Sequence, residues 1–168
     1  MQFKGEGLEV RVPFFSSKSE IQAFISKNRG WIEKQLKRRA EEEAEPVRLL
    51  SEEELKALSR AAKRVIPEKV EAYARLIGVD YGTISYRFQK TRWGSCTKDG
   101  NLNFNCLLML APEQVLDSVI VHELCHRKEM NHSKAFYDEV LRVMPDYRTA
   151  HKWLKENGNR LMKMGGRK

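Results

Sequence analysis

The residues with the clearest chemical potential are five consecutive side chains, His122-Glu123-Leu124-Cys125-His126. Two histidines four residues apart lie one above the other on a helix, so both imidazoles can reach one metal ion. Glu123 is rotated by about 100° from His122, which puts its carboxylate beside the ion rather than in contact with it. The spacing therefore predicts a zinc site in which Glu123 is the general base for a water that the ion activates.

A third ligand is available at His132, which follows His126 closely in the sequence. The intervening residues reach about 20 Å when extended, so the chain can turn back, and we expect Asn131 to be a left-handed pivot. Glu139 and Glu156 are alternative third ligands, as glutamate is in other zinc peptidases. Histidine is the better zinc donor, which favours His132.

Two other interpretations of the motif stay open. Two surface histidines beside a glutamate can be solvated or can bind a metal incidentally. A structural zinc would need four protein ligands, and no fourth is evident, because Cys125 points to a different face of the helix from His126. The remaining histidine, His151, is interpreted as an ordinary surface or packing side chain.

The element that must position the motif is a helix, which we predict to start at Pro112. Two further helices are predicted over about 133–143 and 147–157, with Pro145 between them and Gly158 closing the second. Before the motif, three short segments are predicted to form a small antiparallel meander. These are residues 84–88, the residues around Trp93, and residues 102–110.

Further upstream, Ser51-x-x-Glu54 is a capping box that opens a helix through about Val65. Pro67 is predicted to kink or restart this helix, and the apolar pattern continues to Gly78, a plausible stop. Helices beside a small sheet indicate an α+β fold.

The first 46 residues are predicted to form a small unit of their own. Residues 8–12 alternate apolar with charged side chains, as a half-exposed strand does, and Ser17-x-x-Glu20 is a capping box that opens a helix. A basic and then acidic run over 37–45 predicts a boundary. We therefore divide the chain into an N-terminal strand-helix unit (1–46), a main domain (47–158) and a basic, flexible tail (159–168).

The composition is typical of a soluble protein, with 41% hydrophobic and 32% charged side chains in 168 residues. No apolar run is long enough for a transmembrane helix, and the opening residues lack the layout of a signal peptide. The three cysteines form no C-x-x-C pair and are interpreted as reduced thiols. We therefore expect a cytoplasmic protein with no membrane partner; its oligomeric state cannot be predicted.

The net charge of +8 raises the question of a nucleic-acid partner. Residues 92–159, which include the histidine motif, carry nine basic and nine acidic side chains, whereas the last nine residues carry four basic and no acidic ones. Half of the excess charge therefore belongs to the predicted tail. Nucleic acid is kept as an alternative partner through that tail, and a peptide or protein substrate is favoured.

Five stretches of the chain form a recognisable set: Arg92-Trp93-Gly94-Ser95-Cys96, Asn101-Leu102-Asn103-Phe104-Asn105, Leu110-Ala111-Pro112, Val121-His122-Glu123-Leu124-Cys125-His126 and Met130-Asn131-His132-Ser133. Together they resemble the YgjP-like metallopeptidase family, which is related to the SprT-like and WLM zinc-peptidase domains. The spacing also fits the metzincin pattern H-E-x-x-H-x-x-G-x-x-H, except that Glu129 replaces the glycine. The specific likeness covers about residues 80–158.

The resemblance implies a zincin-like fold, in which a small sheet lies beside the active-site helix and its edge strand lines the cleft. It implies that His122, His126 and His132 bind the zinc ion and that Glu123 is the catalytic base. It also implies that residues 92–96 lie close to the cleft.

Three residues of that segment are predicted to contact substrate. Trp93 offers a flat apolar wall, Gly94 lets a substrate backbone approach closely, and Arg92 neutralises an oxyanion. The alternative is that Trp93 belongs to the core and Arg92 to a surface ion pair. Tyr137 is a weaker candidate for a hydrogen bond to the transition state, and a packing role is favoured for it.

The favoured function is therefore zinc-dependent hydrolysis of peptide bonds through a water activated by Glu123. A metal-dependent UTP pyrophosphohydrolase is a second hypothesis, because some members of the family bear that name. Against this hypothesis, the sequence has no visible Gly-rich loop for phosphate, and three histidines suit zinc better than magnesium. A third hypothesis is a DNA-associated protease, like the SprT-like enzymes, or a nucleic-acid-binding module that uses the basic tail.

Overall fold

The computed structural model describes residues 1–4, 7–44 and 46–166. The chain divides into two compact units, Met1–Pro46 and Val47–Lys168, and the independence of each as a domain stays a prediction. Six helices and five short strands in the described residues confirm the predicted α+β class. None of the described helices combines the length and apolarity that a membrane crossing requires.

The first unit is a β-hairpin followed by two helices. Its elements are β1 (Gln2–Lys4), β2 (Gly7–Glu9), α1 (Lys18–Lys27) and α2 (Arg29–Ala44). β1 and β2 pair antiparallel. The strand predicted over 8–12 ends earlier, at Glu9, because β1 offers only three residues for it to pair with. The capping box before α1 is confirmed: Ser17 Oγ accepts a hydrogen bond from Glu20 N at 3.3 Å.

The second unit is built around one central helix. Its elements are α3 (Glu52–Ile77), β3 (Ile84–Arg87), β4 (Gly94–Cys96), β5 (Leu102–Asn105), a 3₁₀ helix (Cys106–Leu110), α4 (Glu113–Cys125), α5 (Lys134–Val143) and α6 (Tyr147–Met164). The helix α4 packs against α3, α5, α6 and β4. Buried apolar side chains from all of these helices and from β5 form one continuous core.

The long helix α3 begins at the predicted capping box, where Ser51 Oγ accepts from Glu54 N at 3.2 Å. It ends at Gly78, whose left-handed φ of 77° favours glycine. The predicted restart of the helix at Pro67 is wrong, because α3 continues through it, while a kink there stays a prediction. Proline removes one backbone donor, and burial of the flanking turns, with Ile66 at 0% exposure, outweighs that loss.

The three-stranded sheet has the order β3-β5-β4, in which β3 pairs with β5 in parallel and β4 pairs with β5 antiparallel. The predicted meander is therefore wrong in its connections. After β3 the chain crosses to the other side of β5 and runs in the opposite direction as β4, which is an edge strand of the sheet. The residues between β3 and β4 make this crossing, and they include Arg92 and Trp93.

Asn105 holds the crossing segment in place from the end of β5. Its side-chain amide Nδ2 donates to Gln89 O at 2.8 Å and to Arg92 O at 3.1 Å. Its Oδ1 accepts from Leu107 N at 3.1 Å, which caps the 3₁₀ helix. This cap explains why the strand predicted over 102–110 ends at residue 105. Asn105 itself is fully buried.

The last helix is longer than predicted. Gly158 does not close it, and α6 continues to Met164, so residues 159–164 are helical rather than part of a flexible tail. Arg167 and Lys168 lie outside the described residues. Gly158 is required for packing instead: a Cβ atom added there would lie 3.1 Å from Cζ2 of the Trp93 indole. The glycine therefore lets the indole lie directly against the α6 backbone.

Replacing Asn105 by alanine should destabilise the second unit by about 3 kcal/mol, because three hydrogen bonds of about 1 kcal/mol each are lost from a buried site. Asn103→Ala is the matched control on the same strand, since its Oδ1 has no hydrogen-bond partner among the described residues. We expect the control to cost less than about 1 kcal/mol. Urea denaturation followed by circular dichroism measures both, and equal losses would contradict this role of Asn105.

Candidate metal centre

The helix α4 sets the direction of the first two histidines. Almost every residue in its last three turns is buried, so packing on all sides fixes its rotation. His122 lies in its last turn, and His126 caps its C-terminus with φ −63° and ψ −16°. Glu123, between them, is only 6% exposed. The motif is therefore held on a rigid, apolar helix, as the sequence predicts.

The chain reverses direction immediately after α4. Glu129 N donates to Cys125 O at 3.0 Å, which closes a turn, and Ser133 N donates to Asn131 O at 2.7 Å. Ser133 Oγ then accepts from Phe136 N to cap α5. The prediction that Asn131 is a left-handed pivot is wrong, because no non-glycine residue in the described ranges has a positive φ. Successive hydrogen-bonded turns accomplish the reversal without one.

The reversal brings His132 against His122 and His126. The Nε2 atoms of His132 and His122 are 3.0 Å apart, and one nitrogen from each ring lies within 4.8 Å of the others. Tetrahedral zinc, with bonds of about 2.0–2.1 Å to histidine, separates its nitrogen ligands by about 3.3 Å. The three side chains therefore lie close enough to hold one metal ion, and three imidazoles are a donor set that suits zinc. Residues 1–4, 7–44 and 46–166 contain no other such group.

The two alternative carboxylate ligands lie outside this group. Glu139 accepts hydrogen bonds from Arg142 at 2.8 Å and Lys128 at 2.7 Å, and these bonds lower its pKa to about 2. Glu156 is an exposed residue of α6 that lies 4.0 Å from Lys152. Glu139 is therefore committed to holding the reversal onto α5, and His132 is the third side chain near the other two.

Phe136 packs against all three imidazoles. Its ring is fully buried, stacks on His126 with centroids 4.7 Å apart, and meets His122 and His132 edge-on at 4.9 Å each. Packing of this kind restricts the rotation of the imidazoles before any ion is present. The sequence contained only a weak signal for this role, namely an apolar residue one turn after His132.

Hydrogen bonds to the Nδ1 atoms orient two of the rings. The hydroxyl of Tyr147 lies 2.8 Å from His122 Nδ1, and Glu129 O lies 3.1 Å from His126 Nδ1. When each Nδ1 carries the proton and donates it, the lone pair of Nε2 is free for a metal ion. The sequence analysis did not identify Tyr147. Its partner His122 lies on another helix, and the spacing of Tyr147 to His151 on α6 does not reveal that contact.

The charges of the site follow from its burial. Burial, followed by the neighbouring His126 and His132, lowers the pKa of His122 to about 3. His122 therefore stays neutral at pH 7, as a metal ligand must. Burial also raises the pKa of Glu123 to about 8, against the opposing effect of Arg92. A cation held by the histidines would lower that pKa again and favour the carboxylate.

The three residues predicted to contact substrate lie around Glu123. A Cβ atom at Gly94 would lie 2.6 Å from Glu123 Oε1, so only glycine lets the edge strand β4 approach this carboxylate. Trp93 is half-buried and lies on Gly158, which gives its indole a packing role, and its contact with substrate stays a prediction. Arg92 is exposed. Tyr137 lies at the periphery, with its ring centroid 6.2 Å from that of His132.

Two cavities meet beside His122 and Glu123. One of about 270 Å³ is lined by β4, Met130 and all three histidines. The other, of about 190 Å³, is lined mainly by α4, α6 and Trp93. Arg92, Gly94, His122 and Glu123 line both cavities. The structure therefore brings the predicted ligands, the predicted base and the predicted substrate-contact residues together around one cleft.

Comparison with known proteins agrees with this architecture. A solved structure of the metallopeptidase zymogen of Pyrococcus abyssi abylysin superimposes with a TM-score of 0.50 and 19% identity, over 55% of this chain and 94% of that one. At this identity the likeness concerns the fold, and it confirms the zincin-like expectation. A UTP pyrophosphatase of Escherichia coli (strain K12) is 49% identical over 37 residues, which is 22% of either chain.

The family is established by a longer match. The family model described as YgjP-like, metallopeptidase domain, matches residues 51–157. That range includes β3 to β5, all three histidines, Glu123 and most of α6. Because the match covers more than half of the chain, this protein belongs to the YgjP-like metallopeptidase family.

Proposed function

We propose that this chain is a zinc-dependent metallopeptidase that hydrolyses peptide bonds. The observation that carries the proposal is the convergence of His122, His126 and His132 beside the buried Glu123. Three imidazoles are a ligand set that zinc prefers, and three protein ligands are typical of a catalytic rather than a structural zinc. When bound, zinc would supply a Lewis acid that acidifies a water molecule and polarises the substrate carbonyl.

Glu123 is the proposed proton carrier. Its carboxylate accepts a proton from the attacking water as the oxygen of that water bonds to the carbonyl carbon. The same group then donates the proton to the amide nitrogen as the carbon–nitrogen bond breaks. Gly94 keeps Glu123 shielded from solvent on one side, and Arg92 offers a positive charge near the developing negative charge.

The edge strand β4 is the proposed contact for the substrate backbone. Asn105 N donates to Trp93 O, and Thr97 N donates to Asn101 O. Antiparallel pairing alternates along a strand, so the peptide groups of Gly94 and Cys96 point away from β5. Among the described strands none pairs with that outer edge. An extended peptide can therefore add to β4 and lie across the reaction centre.

A nucleotide pyrophosphohydrolase is the second candidate, and one feature besides the short match to a UTP pyrophosphatase favours it. A cavity of about 450 Å³ lies beside Tyr147 and His151 and is lined by three cationic side chains, Arg148, Lys152 and Lys155. Cations of this kind suit phosphate groups.

Paired assays on a peptide mixture and on UTP should show cleavage of peptides and no release of pyrophosphate. The physical reason is the exposed β4 edge together with a ligand set suited to zinc rather than magnesium. Product analysis by mass spectrometry covers both substrates with one zinc-loaded preparation. Release of pyrophosphate from UTP without cleavage of any peptide would make the second candidate the correct one.

Glu123→Gln should retain zinc and lose at least about 100-fold in kcat. The amide keeps the size of the side chain but cannot accept a proton. Metal content by mass spectrometry and peptide cleavage together measure the effect. Glu156→Gln is the matched control, because Glu156 is exposed and lies far along α6, and it should retain full activity. Full activity in the Glu123 variant would exclude the proposed base.

His132→Ala should weaken zinc binding by more than about 100-fold, since even residues that only orient a ligand contribute about 10- to 100-fold. His151→Ala is the control. Its Nδ1 lies 3.5 Å from the Tyr147 hydroxyl, yet it is not one of the three grouped histidines. Competition with a chromophoric chelator gives both affinities. Equal affinity in the two variants would remove His132 from the site.

A further inference from the structure

The smaller of the two cavities beside His122 and Glu123 has a mainly apolar lining. Trp93, Val119 and Leu154 face it, and Ser118 lies at its wall with its hydroxyl donated to Val115 O at 2.7 Å. The charged groups Arg92 and Glu123 line the larger cavity as well. The charged groups therefore lie where the two cavities join. The rest of the smaller cavity is lined mainly by the apolar groups of Trp93, Val119 and Leu154, with Ser118, Tyr147 and His151 also at its wall.

The volume of this cavity matches one side chain. A cavity of about 150 Å³ lined by apolar residues is sufficient to bind benzene, and this one measures about 190 Å³. A phenylalanine, leucine or methionine side chain therefore fits, whereas two such side chains do not. A charged side chain would lose most of its hydration among Trp93, Val119 and Leu154.

The walls of the cavity are fixed in advance. Val119 and Leu154 are 6% and 9% exposed, and the Trp93 indole is held against Gly158. Asn105 anchors the segment before Trp93 through its bond to Arg92 O. A cavity held open by buried neighbours does not have to be formed at the expense of binding energy.

The position of the cavity indicates which kind of molecule would occupy it. His122 and Glu123 line both cavities, so a group in the apolar one is within a residue's length of the proposed zinc position. We propose that this cavity is a specificity pocket for one large apolar side chain of a peptide substrate, at a position that flanks the bond to be cleaved. This inference rests on the proposed peptidase function.

The first test is a cleavage-site profile of a mixed peptide library with the zinc-loaded protein. We expect phenylalanine, leucine or methionine at one flanking position, with kcat/KM about 100-fold higher than for alanine. Val119→Phe fills the cavity and should reduce that preference to a few-fold. Val119→Ala enlarges it and should admit tryptophan.

Val115→Ala is the matched control, since Val115 lies one turn earlier on α4, is equally buried and does not line the cavity. It should lower stability and leave the profile unchanged. Circular dichroism checks the folding of each variant, and if Val119→Phe does not fold, Val119→Ala decides. A wild-type profile without apolar preference, or a preference that both Val119 variants retain, would overturn the pocket while leaving the peptidase proposal in place.

A binding measurement separates the two proposals when no peptide is cleaved. Calorimetry with zinc-loaded Glu123→Gln compares two peptides that differ only by phenylalanine or alanine at one position. At least tenfold tighter binding of the phenylalanine peptide, lost in the Glu123→Gln, Val119→Phe double variant, supports the pocket even though the peptidase proposal fails. Equal affinity for both peptides overturns the pocket.

Discussion

Three imidazoles can meet at one point only if the chain turns back within a few residues of the second. The whole site depends on this constraint. It requires α4 to end at Cys125, the turn closed by Glu129 N, and a helix that starts again at Ser133. Phe136 then fills the space beneath the rings. A longer α4 would carry the chain away from His122, and the remaining histidine, His151, is not one of the three grouped side chains.

The three-stranded sheet borders the same site from the opposite side. Gly94 places β4 against Glu123, and the parallel pairing of β3 with β5 makes β4 an edge strand. Asn105 connects these features, because its side chain fixes the segment that leads into Trp93 and its neighbour. A buried amide in the core thus determines where the residues proposed to contact substrate lie. The packing of the core and the geometry of the site therefore depend on the same side chain.

Local patterns predicted local features. Capping boxes at Ser17 and Ser51 mark helix starts because the hydrogen bonds involved span only three residues. The histidine spacing marks a helical face for the same reason. Long-range features left no such pattern. The pairing of β3 with β5, the hydroxyl of Tyr147 near His122, and the contact of Gly158 with Trp93 each join distant segments. Gly158 resembles a helix stop until its neighbour is known.

The helix α6 contributes to three features of the site. Tyr147 lies next to His122, a candidate metal ligand, Leu154 lines the apolar cavity, and Gly158 packs against Trp93. These residues are held by a single rigid rod, so a shift that accommodates a change at one of them is transmitted to the others. Substitutions along this rod will be epistatic, with combined effects that differ from the sum of the single ones. Under the proposed function, metal affinity and substrate preference are therefore constrained to evolve together.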